Sequence, residues 1–450
     1  MHEYSKYILF EIDNICSFNL EIPYTVYSPQ EDTFLLAEAI INLNMVKGRS
    51  LEIGSGSGAV SLLLAHLGWN VLSCDINPYA VAATRANAKR YGFSETIKTI
   101  ENGVGEDLVI DPNISLIVWN LPYLNPLKDG DEQLEYIEDA AYIDTNNGGW
   151  SEKLLKELEH SQISDDCVVL LLFRTYPKSP SSPVTWKNRG WASRLVNRKV
   201  IADEKLEVYA FWKPGNNKSP LIIEKCDSTM DEAKKLSGIG WNRILTNNQN
   251  KGRGRRSSKW VSGTGDMLAT WVIPKSSVQD ISIGLLQIEI GSLVADALNV
   301  NLKWPNDIVS IDFRKMGGII IESSDAEDVI RVGIGLNKNI KLIDGQRTSG
   351  WSEIFEDANH LDIFENIDAA LSSRFEFPNL QMLEFNPNSL INSWNSLSRY
   401  LSRGVILNNN QIKYRVVGLK ENGFLEILNS HKMCLNDSLD NINWEYDINN

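Results

Sequence analysis

The chain has 450 residues, 44 Lys plus Arg against 58 Asp plus Glu for a net charge of −14, and 43% hydrophobic residues. At about 150 residues per domain that length suggests three units, and the apolar fraction suffices for sizeable cores, which excludes a disordered tail. The acidic balance excludes a general nucleic-acid coat and a polybasic membrane binder, because phosphates are repelled by the average surface, but it leaves room for a local basic site.

Cys16, Cys74, Cys167, Cys226 and Cys434 are scattered, with no Cys-x-x-Cys and no short pair, and the five histidines are equally dispersed. The pattern fits a reduced intracellular protein and predicts neither a disulfide framework nor a protein-held zinc site. No apolar run approaches the roughly 20 residues needed to span a bilayer. The longest, Cys167 to Phe173, reads as a buried strand. Glu3, Glu11 and Asp13 interrupt the N-terminal stretch, so no signal peptide is expected and a cytoplasmic location is.

In chain order, Ser50-Leu-Glu-Ile53 reads as a strand entering Gly54-Ser-Gly-Ser-Gly58, and Ala59 to Leu67 follows as a helix. Glycines at 54, 56 and 58 allow a tight strand-to-helix turn and let backbone N–H groups approach a ligand. Asn70 to Cys74 reads as a second strand ending in Asp75, some 20 residues after the loop, where an acid accepts hydrogen bonds from ribose hydroxyls. The bland reading makes Asp75 a helix-capping residue of a structural βαβ unit. A third strand, Ile114 to Trp119, runs into Asn120-Leu-Pro-Tyr123. An amide or exocyclic NH2 is a poor nucleophile because its lone pair is delocalised. An Asn oxygen and a neighbouring carbonyl can accept its N–H bonds and aim the lone pair at an electrophile, which is catalysis by positioning.

These residues resemble the class I S-adenosylmethionine methyltransferases with an Asn-Pro-Pro-Tyr motif, with Leu121 in place of the usual first proline. Val26-Tyr-Ser-Pro-Gln-Glu-Asp-Thr-Phe-Leu-Leu36 resembles the opening of the HemK-type glutamine methyltransferases, above all the branch acting on class-1 peptide release factors. The resemblance covers roughly residues 20 to 212. It implies a Rossmann-like α/β domain whose Gly54, Gly56, Gly58 and Asp75 hold S-adenosylmethionine, with Pro29 to Thr33 against its methionine end. Asn120, Leu121, Pro122 and Tyr123 then bind the glutamine of a Gly-Gly-Gln tripeptide for N5 methylation, Asn120 and Tyr123 being catalytic. It further implies a peptide release factor as partner, and a small zinc-bearing activator subunit as its eukaryotic relatives use. The rival is a nucleic-acid adenine methyltransferase, which applies the same clamp to a flipped base. Against it stand Asp129, Asp131, Glu132, Glu135, Glu138, Asp139 and Asp144, opposed only by Lys128, a poor surface for phosphates.

Turn-rich stretches follow at Tyr176 to Pro183 and at Pro214-Gly-Asn-Asn-Lys-Ser-Pro220, and the second separates two motif sets. Leu221 to Cys226 reads as a strand, Asp227-Ser-Thr229 as a turn and Met230 to Leu236 as a helix. Five of the ten residues from Lys251 to Trp260 are basic, inside an acidic protein. That composition, with glycines for flexibility, neutralises phosphates, though a solvated loop or an RNA contact has the same look. Val300-Asn-Leu-Lys-Trp-Pro-Asn-Asp307, Arg314-Lys-Met-Gly-Gly-Ile-Ile-Ile-Glu322 and Gly333-Ile-Gly-Leu-Asn337 come next.

With Asp227-Ser-Thr and Gly252-Arg-Gly-Arg-Arg-x-x-Lys-Trp260, these ordered segments resemble the biotin–protein ligases. The resemblance implies an α+β catalytic domain that makes biotinyl-adenylate from biotin and ATP with Mg2+, then passes the acyl group to a lysine of a biotin carboxyl-carrier protein. Lys315 is the implied central catalytic lysine, assisted by Arg255. Ser228, Thr229 and Gln249 hold the ureido ring. Gly252, Arg253, Gly254, Arg255, Arg256, Trp260, Lys303, Asn306, Asp307, Gly317 and Asn337 complete the biotin and ATP sites. Met230 stands where the family has Asn, and Ser257 and Ser258 where it has Gly and Arg or Asn. Lipoate ligases share the fold and the adenylate and form the alternative. The linker is too short for a winged helix, so no DNA-binding domain is expected. Alternating runs at Ile412 to Leu419 and Gly423 to Leu428 resemble a small SH3-like barrel. The expected domains are 1–215, 216–395 and 396–450, a bifunctional enzyme unless one half is an inactive scaffold.

Overall fold

The structure, a computed structural model, describes residues 5–125, 143–145, 148–236, 240–255, 258–278, 281–343, 345–376, 389–401, 405–409, 412–429, 433–436 and 443–446. They fall into two compact units, one within residues 1–217 and the other within 218–376 and 386–450.

In the first unit, β1 (Ser5–Ile12) and β2 (Cys16–Pro23) form an antiparallel hairpin that buries Phe10, Phe18 and Leu20. The rest is a seven-stranded sheet of β3 (Arg49–Ile53), β4 (Asn70–Asp75), β5 (Ile97–Glu101), β6 (Ile114–Asn120), β7 (Val168–Tyr176), β8 (Ala192–Ile201) and β9 (Glu204–Trp212), in the order β5-β4-β3-β6-β7-β9-β8. The five strands β5 to β7 of that order run parallel, and β9 lies antiparallel between β7 and β8. The continuous apolar run of β7 has a simple cause. Val168, Leu170 and Leu172 feed one core cluster, and Val169, Leu171 and Phe173 feed another, so both faces are covered. The strand order reverses between β3 and β6. Gly54, Asp75 and Asn120 stand at the C-terminal ends of β3, β4 and β6, where open α/β sheets bind ligands.

The second unit carries β10 (Leu221–Ile222), β11 (Asn242–Thr246), the small pair β12 (Gly252–Arg253) and β13 (Lys259–Trp260), then β14 (Met267–Pro274), β15 (Asn301–Lys303), β16 (Asp307–Val309), β17 (Lys315–Ser323) and β18 (Val329–Leu336). Its seven-stranded sheet runs β10-β11-β14-β18-β17-β16-β15, antiparallel except for β10 beside β11. The helix Ile283–Ala297 packs its Leu286, Ile290 and Val294 into the same core as Trp271, Ile319 and Val332. The strand expected over 221–226 stops at Ile222, and the helix expected over 230–236 is Thr229–Ala233. A short hairpin, β19 (Leu342–Ile343) with β20 (Gln346–Arg347), precedes the helices His360–Phe375 and Ser389–Leu401. The chain then forms β21 (Val405–Asn409), β22 (Ile412–Leu419), β23 (Leu425–Leu428), β24 (Met433–Asn436) and β25 (Asn443–Tyr446), an antiparallel sheet in the order β24-β23-β22-β21-β25. Among the described residues, no helix is long and apolar enough to cross a membrane.

Candidate functional site

A cleft of about 980 Å³ opens beyond β3, β4 and β6, lined by Gly54, Gly56, Asp75, Asn120, Leu121, Pro122 and Tyr123. Gly54 has φ +69°, a conformation that favours glycine, and a Cβ there would come within 3.3 Å of the Trp119 indole nitrogen, a tight contact. Gly58 does not line the cleft. It caps the helix Ala59–His66 at φ +83°, and a Cβ would sit 3.1 Å from the Thr84 Cα, which makes it a packing glycine.

The expectation that the loop offers its amides to a ligand is corrected. The N–H groups of Gly54 and Ser55 donate to the Cys74 carbonyl, that of Gly56 to Asp75 Oδ2 at 2.8 Å, and that of Gly58 to the Ser55 carbonyl. Asn77 N–H donates to Asp75 Oδ1 at 2.9 Å. Burial raises the Asp75 pKa against the pull of these amides. With the Ile76 amide a third donor, the carboxylate still has acceptor capacity left for a ligand hydroxyl.

Asp32, 3% exposed, gathers the other side of the cleft. Its Oδ2 accepts from Tyr27 Oη at 2.8 Å, Asn120 Nδ2 at 3.0 Å and Tyr123 Oη at 3.3 Å. Its Oδ1 accepts from Thr33 N–H at 2.6 Å. Asn120 Oδ1 is buried with no hydrogen-bond partner among the described residues. Burial, then the charge of Asp32, pushes the Tyr123 phenol far above its ordinary range, and the Arg174 guanidinium lies 5.7 Å from its ring centre. Tyr27, from the segment Val26 to Leu36, lines the cleft as well, and so do Asn102 and Trp150, which no motif singled out. Of the acidic residues weighed against a nucleic-acid substrate, Asp129, Asp131, Glu132, Glu135, Glu138 and Asp139, with Lys128, lie outside the described residues. Asp144 is not part of an acidic rim. It is 1% exposed and accepts from the N–H groups of Trp150 and Ser181.

In the second unit, a pocket of about 1300 Å³ brings together Ser228, Thr229, Gln249, Arg253, Gly254, Arg255, Trp260, Lys303, Asn306, Asp307 and Lys315, residues up to 87 positions apart in sequence. Gln249 Oε1 accepts from Thr229 N–H at 2.7 Å, and Thr270 Oγ1 donates to Thr229 Oγ1 at 2.9 Å, while the buried Ser228 Oγ has no partner among the described residues. Lys315 Nζ pairs with Asp307 at 2.6 Å. Arg253 pairs with Asp231 at 3.0 Å and Glu322 at 3.3 Å. Arg255 reaches Asn306 Oδ1 at 3.4 Å. Burial pulls the Lys303 ammonium below its ordinary range, Asp307 opposing this and Lys315 adding to it.

Met230 and Trp304 also line this pocket, both nearly buried, and Trp304 Nε1 donates to the Gly423 carbonyl at 2.9 Å. Trp271 is core. Three predicted residues lie off the lining. Gly252 and Gly317 allow close strand pairing, since a Cβ would meet Trp260 Cβ at 2.9 Å and the Gly335 carbonyl at 2.5 Å. Asn337 accepts from Lys341 Nζ at 2.9 Å and so steadies the following loop. Arg256 and Ser257 lie outside the described residues. No group of three or more potential metal ligands occurs among the described residues.

Comparison with known proteins adds two family matches. The model described as "Methyltransferase domain" matches residues 51–119, and that of the "Biotin/lipoate A/B protein ligase family" matches residues 227–339. A biotin–[acetyl-CoA-carboxylase] ligase of Paracoccus denitrificans is 32% identical over 130 residues, 26% of this chain and 53% of that protein. A release factor glutamine methyltransferase of Buchnera aphidicola is 29% identical over 152 residues, 32% of this chain and 53% of that protein. The chain thus spans about half the length of the curated relatives it matches. A solved biotin protein ligase of Aquifex aeolicus, in complex with biotin and ATP, aligns at TM-score 0.41 and 25% identity over 51% of this chain and 99% of that one.

Proposed function

From a chain that joins a methyltransferase domain to a biotin–protein ligase domain, we propose a bifunctional enzyme that methylates a protein glutamine and biotinylates a carrier lysine. The observation that carries the first activity is the buried Asn120 Oδ1, unpartnered among the described residues, in the cleft. Asp75 and the wall around Gly54 would hold S-adenosylmethionine, which would supply a methyl group on a positive sulfur. Asn120 Oδ1 and the Leu121 carbonyl accept the N–H bonds of the substrate amide and turn its lone pair toward that methyl, with Tyr123 against the planar group. The N–C bond would form as the S–C bond breaks, leaving the neutral thioether S-adenosylhomocysteine, and the nitrogen would then give up one proton to water.

The test is transfer of labelled methyl by the full chain to a class-1 release factor, with and without a small zinc-bearing activator, beside an adenine-containing duplex. Label on the factor's Gly-Gly-Gln glutamine, lost in Asn120→Ala, supports the reading. Label on adenine alone overturns it.

The second activity rests on the convergence of Arg255, Lys303 and Lys315 on a pocket that also holds the buried Ser228 hydroxyl. The cations offset the repulsion as the biotin carboxylate attacks the α-phosphate of ATP and pyrophosphate leaves. Ser228, Thr229 and Gln249 receive the ureido ring. The carrier lysine then attacks the acyl carbon and AMP leaves. Mg2+ would be held by phosphate oxygens and Asp307, whose single carboxylate suits an ion that keeps most of its waters. The domains are read as 1–215, 216–395 and 396–450, the last an SH3-like fold. Biotin transfer to a carrier domain in the presence of ATP, with lipoate as the competing acid, tests the assignment. Preference for lipoate overturns it.

A further inference from the structure

We propose that Asp32 is the positioning residue that locks the Asn120 side chain with its oxygen facing the cleft, which rests on reading Asn120 as the acceptor of the substrate N–H. A carboxylate only accepts hydrogen bonds, so the Asn120 atom 3.0 Å from Asp32 Oδ2 is the NH2 group, and Oδ1 points the other way. Oδ1 is buried and meets no protein donor among the described residues. The same carboxylate takes the phenolic protons of Tyr27 and Tyr123. Three donors that could otherwise turn toward the substrate are thereby drawn off to one buried group. What remains on this wall is acceptor in character. It suits a nitrogen that brings N–H donors and must keep its lone pair free for the methyl. A donor on the wall would instead bond that lone pair and quench the nucleophile.

Asp32 is itself held by the Thr33 N–H at 2.6 Å and lies almost wholly out of solvent, so the orientation is set before substrate arrives. Both Asp32 and Asn120 are expected near the cofactor from the sequence, but no local pattern pairs them. They lie 88 residues apart, and only the packing of the helix Glu31–Ile41 beside β6 brings them into contact.

A reciprocal swap on the full chain tests the role. In Asp32→Asn, the new amide offers an NH2 of its own, the Asn120 side chain turns its oxygen toward it, and an NH2 enters the cleft. The kcat for methyl transfer is expected to fall about 100-fold, the scale of losing one preorganised group, while the S-adenosylmethionine Kd stays within about twofold. Adding Asn120→Asp restores an acceptor facing the cleft, bonded from behind by the amide introduced at position 32, and is expected to recover roughly tenfold or more over Asp32→Asn. A kcat within about threefold of wild type in Asp32→Asn, or no recovery in the double variant, overturns the proposal. The lock also has a readout that needs no substrate. The Asn120 side-chain amide, assigned in a 15N-asparagine-labelled chain by its loss in Asn120→Asp, is expected to exchange with solvent far more slowly in wild type than in Asp32→Ala. Equal exchange refutes the lock. Slow exchange in a wild-type chain that methylates nothing refutes the methylation reading and leaves the lock standing.

Discussion

The cleft beyond β3 and β6 has the donors of Tyr27, Asn120 and Tyr123 already bonded to one buried carboxylate, whereas the pocket in the second unit keeps Lys315 and Arg253 in ion pairs that an incoming ligand has to open. Asp32 is 3% exposed and its partners are a phenol, an amide and another phenol. Lys315 and Arg253 are partly exposed and paired with Asp307, Asp231 and Glu322. The difference fits the chemistry proposed for each site. Moving a methyl from a positive sulfur to a neutral amide disperses charge, so fixed dipoles suffice. Joining a carboxylate to a phosphate brings two anions together, and that requires full positive charges.

The contrast can be broken most severely at Lys315. Lys315→Ala is expected to slow adenylate formation about 1000-fold, read by ATP–pyrophosphate exchange, with methyl transfer untouched. Lys315→Arg recovers only part of this, since a planar fork does not replace a compact ammonium. Ionic strength gives a second, milder separation. Raising salt from about 0.05 to 0.5 M shortens the screening length and is expected to raise the ligase KM for ATP several-fold, while the KM for S-adenosylmethionine changes less than about twofold. Equal sensitivity would erase the distinction between the sites. Tyr123→Phe keeps the ring and loses one bond to Asp32, and a fall of about threefold in methyl-transfer kcat is expected, since the bond removed is a single long one.

The smallest effect concerns stability. Glu52 on β3 is buried, bonded by the Ser61 hydroxyl, and burial pushes its carboxyl up to about 8. In the unfolded chain the same group ionises near about 4.3. Between those values the folded state holds a proton that the unfolded state has lost, so this group's contribution to stability falls as pH rises from about 4.3 toward 8. Glu52→Gln is expected to flatten that part of the melting-temperature profile of the first unit. An unchanged slope would show that Glu52 stays ionised when folded.

Much of this was legible from local pattern. The glycine loop, Asp75, Asn120 and Tyr123 each follow directly on a strand whose apolar run is plain, and the basic loop and Lys315 sit in equally short segments. What the pattern lacked was partnership. The segment Val26 to Leu36 was flagged, yet the bonds of Asp32 reach across β6, and hydrogen bonds spanning 88 residues leave no local trace. Asn102 and Trp150 carry no spacing signal because each reaches the cleft from the end of a different element. Asp144 read as one acid among several, and only its three amide donors, from Thr145, Trp150 and Ser181, show it to be a structural clip. Gly252, Gly317 and Asn337 stand inside the recognised segments but serve strand pairing and loop support, since a motif records both the groups that touch a ligand and those that let the backbone close around it.

The self-satisfied glycine loop bears on which adenosine-containing molecules the first cleft admits. A pyrophosphate binds where backbone donors are free to meet it. Here the amides of residues 54, 55, 56 and 58 are engaged within the protein, and the Asp75 oxygens stand in the same cleft. A pyrophosphate placed at this turn would meet acceptors where it needs donors, a cost that a nucleoside with a positive sulfur and no phosphate would not bear there. On the proposed reading, bonds the chain makes to itself would disfavour a pyrophosphate at this turn.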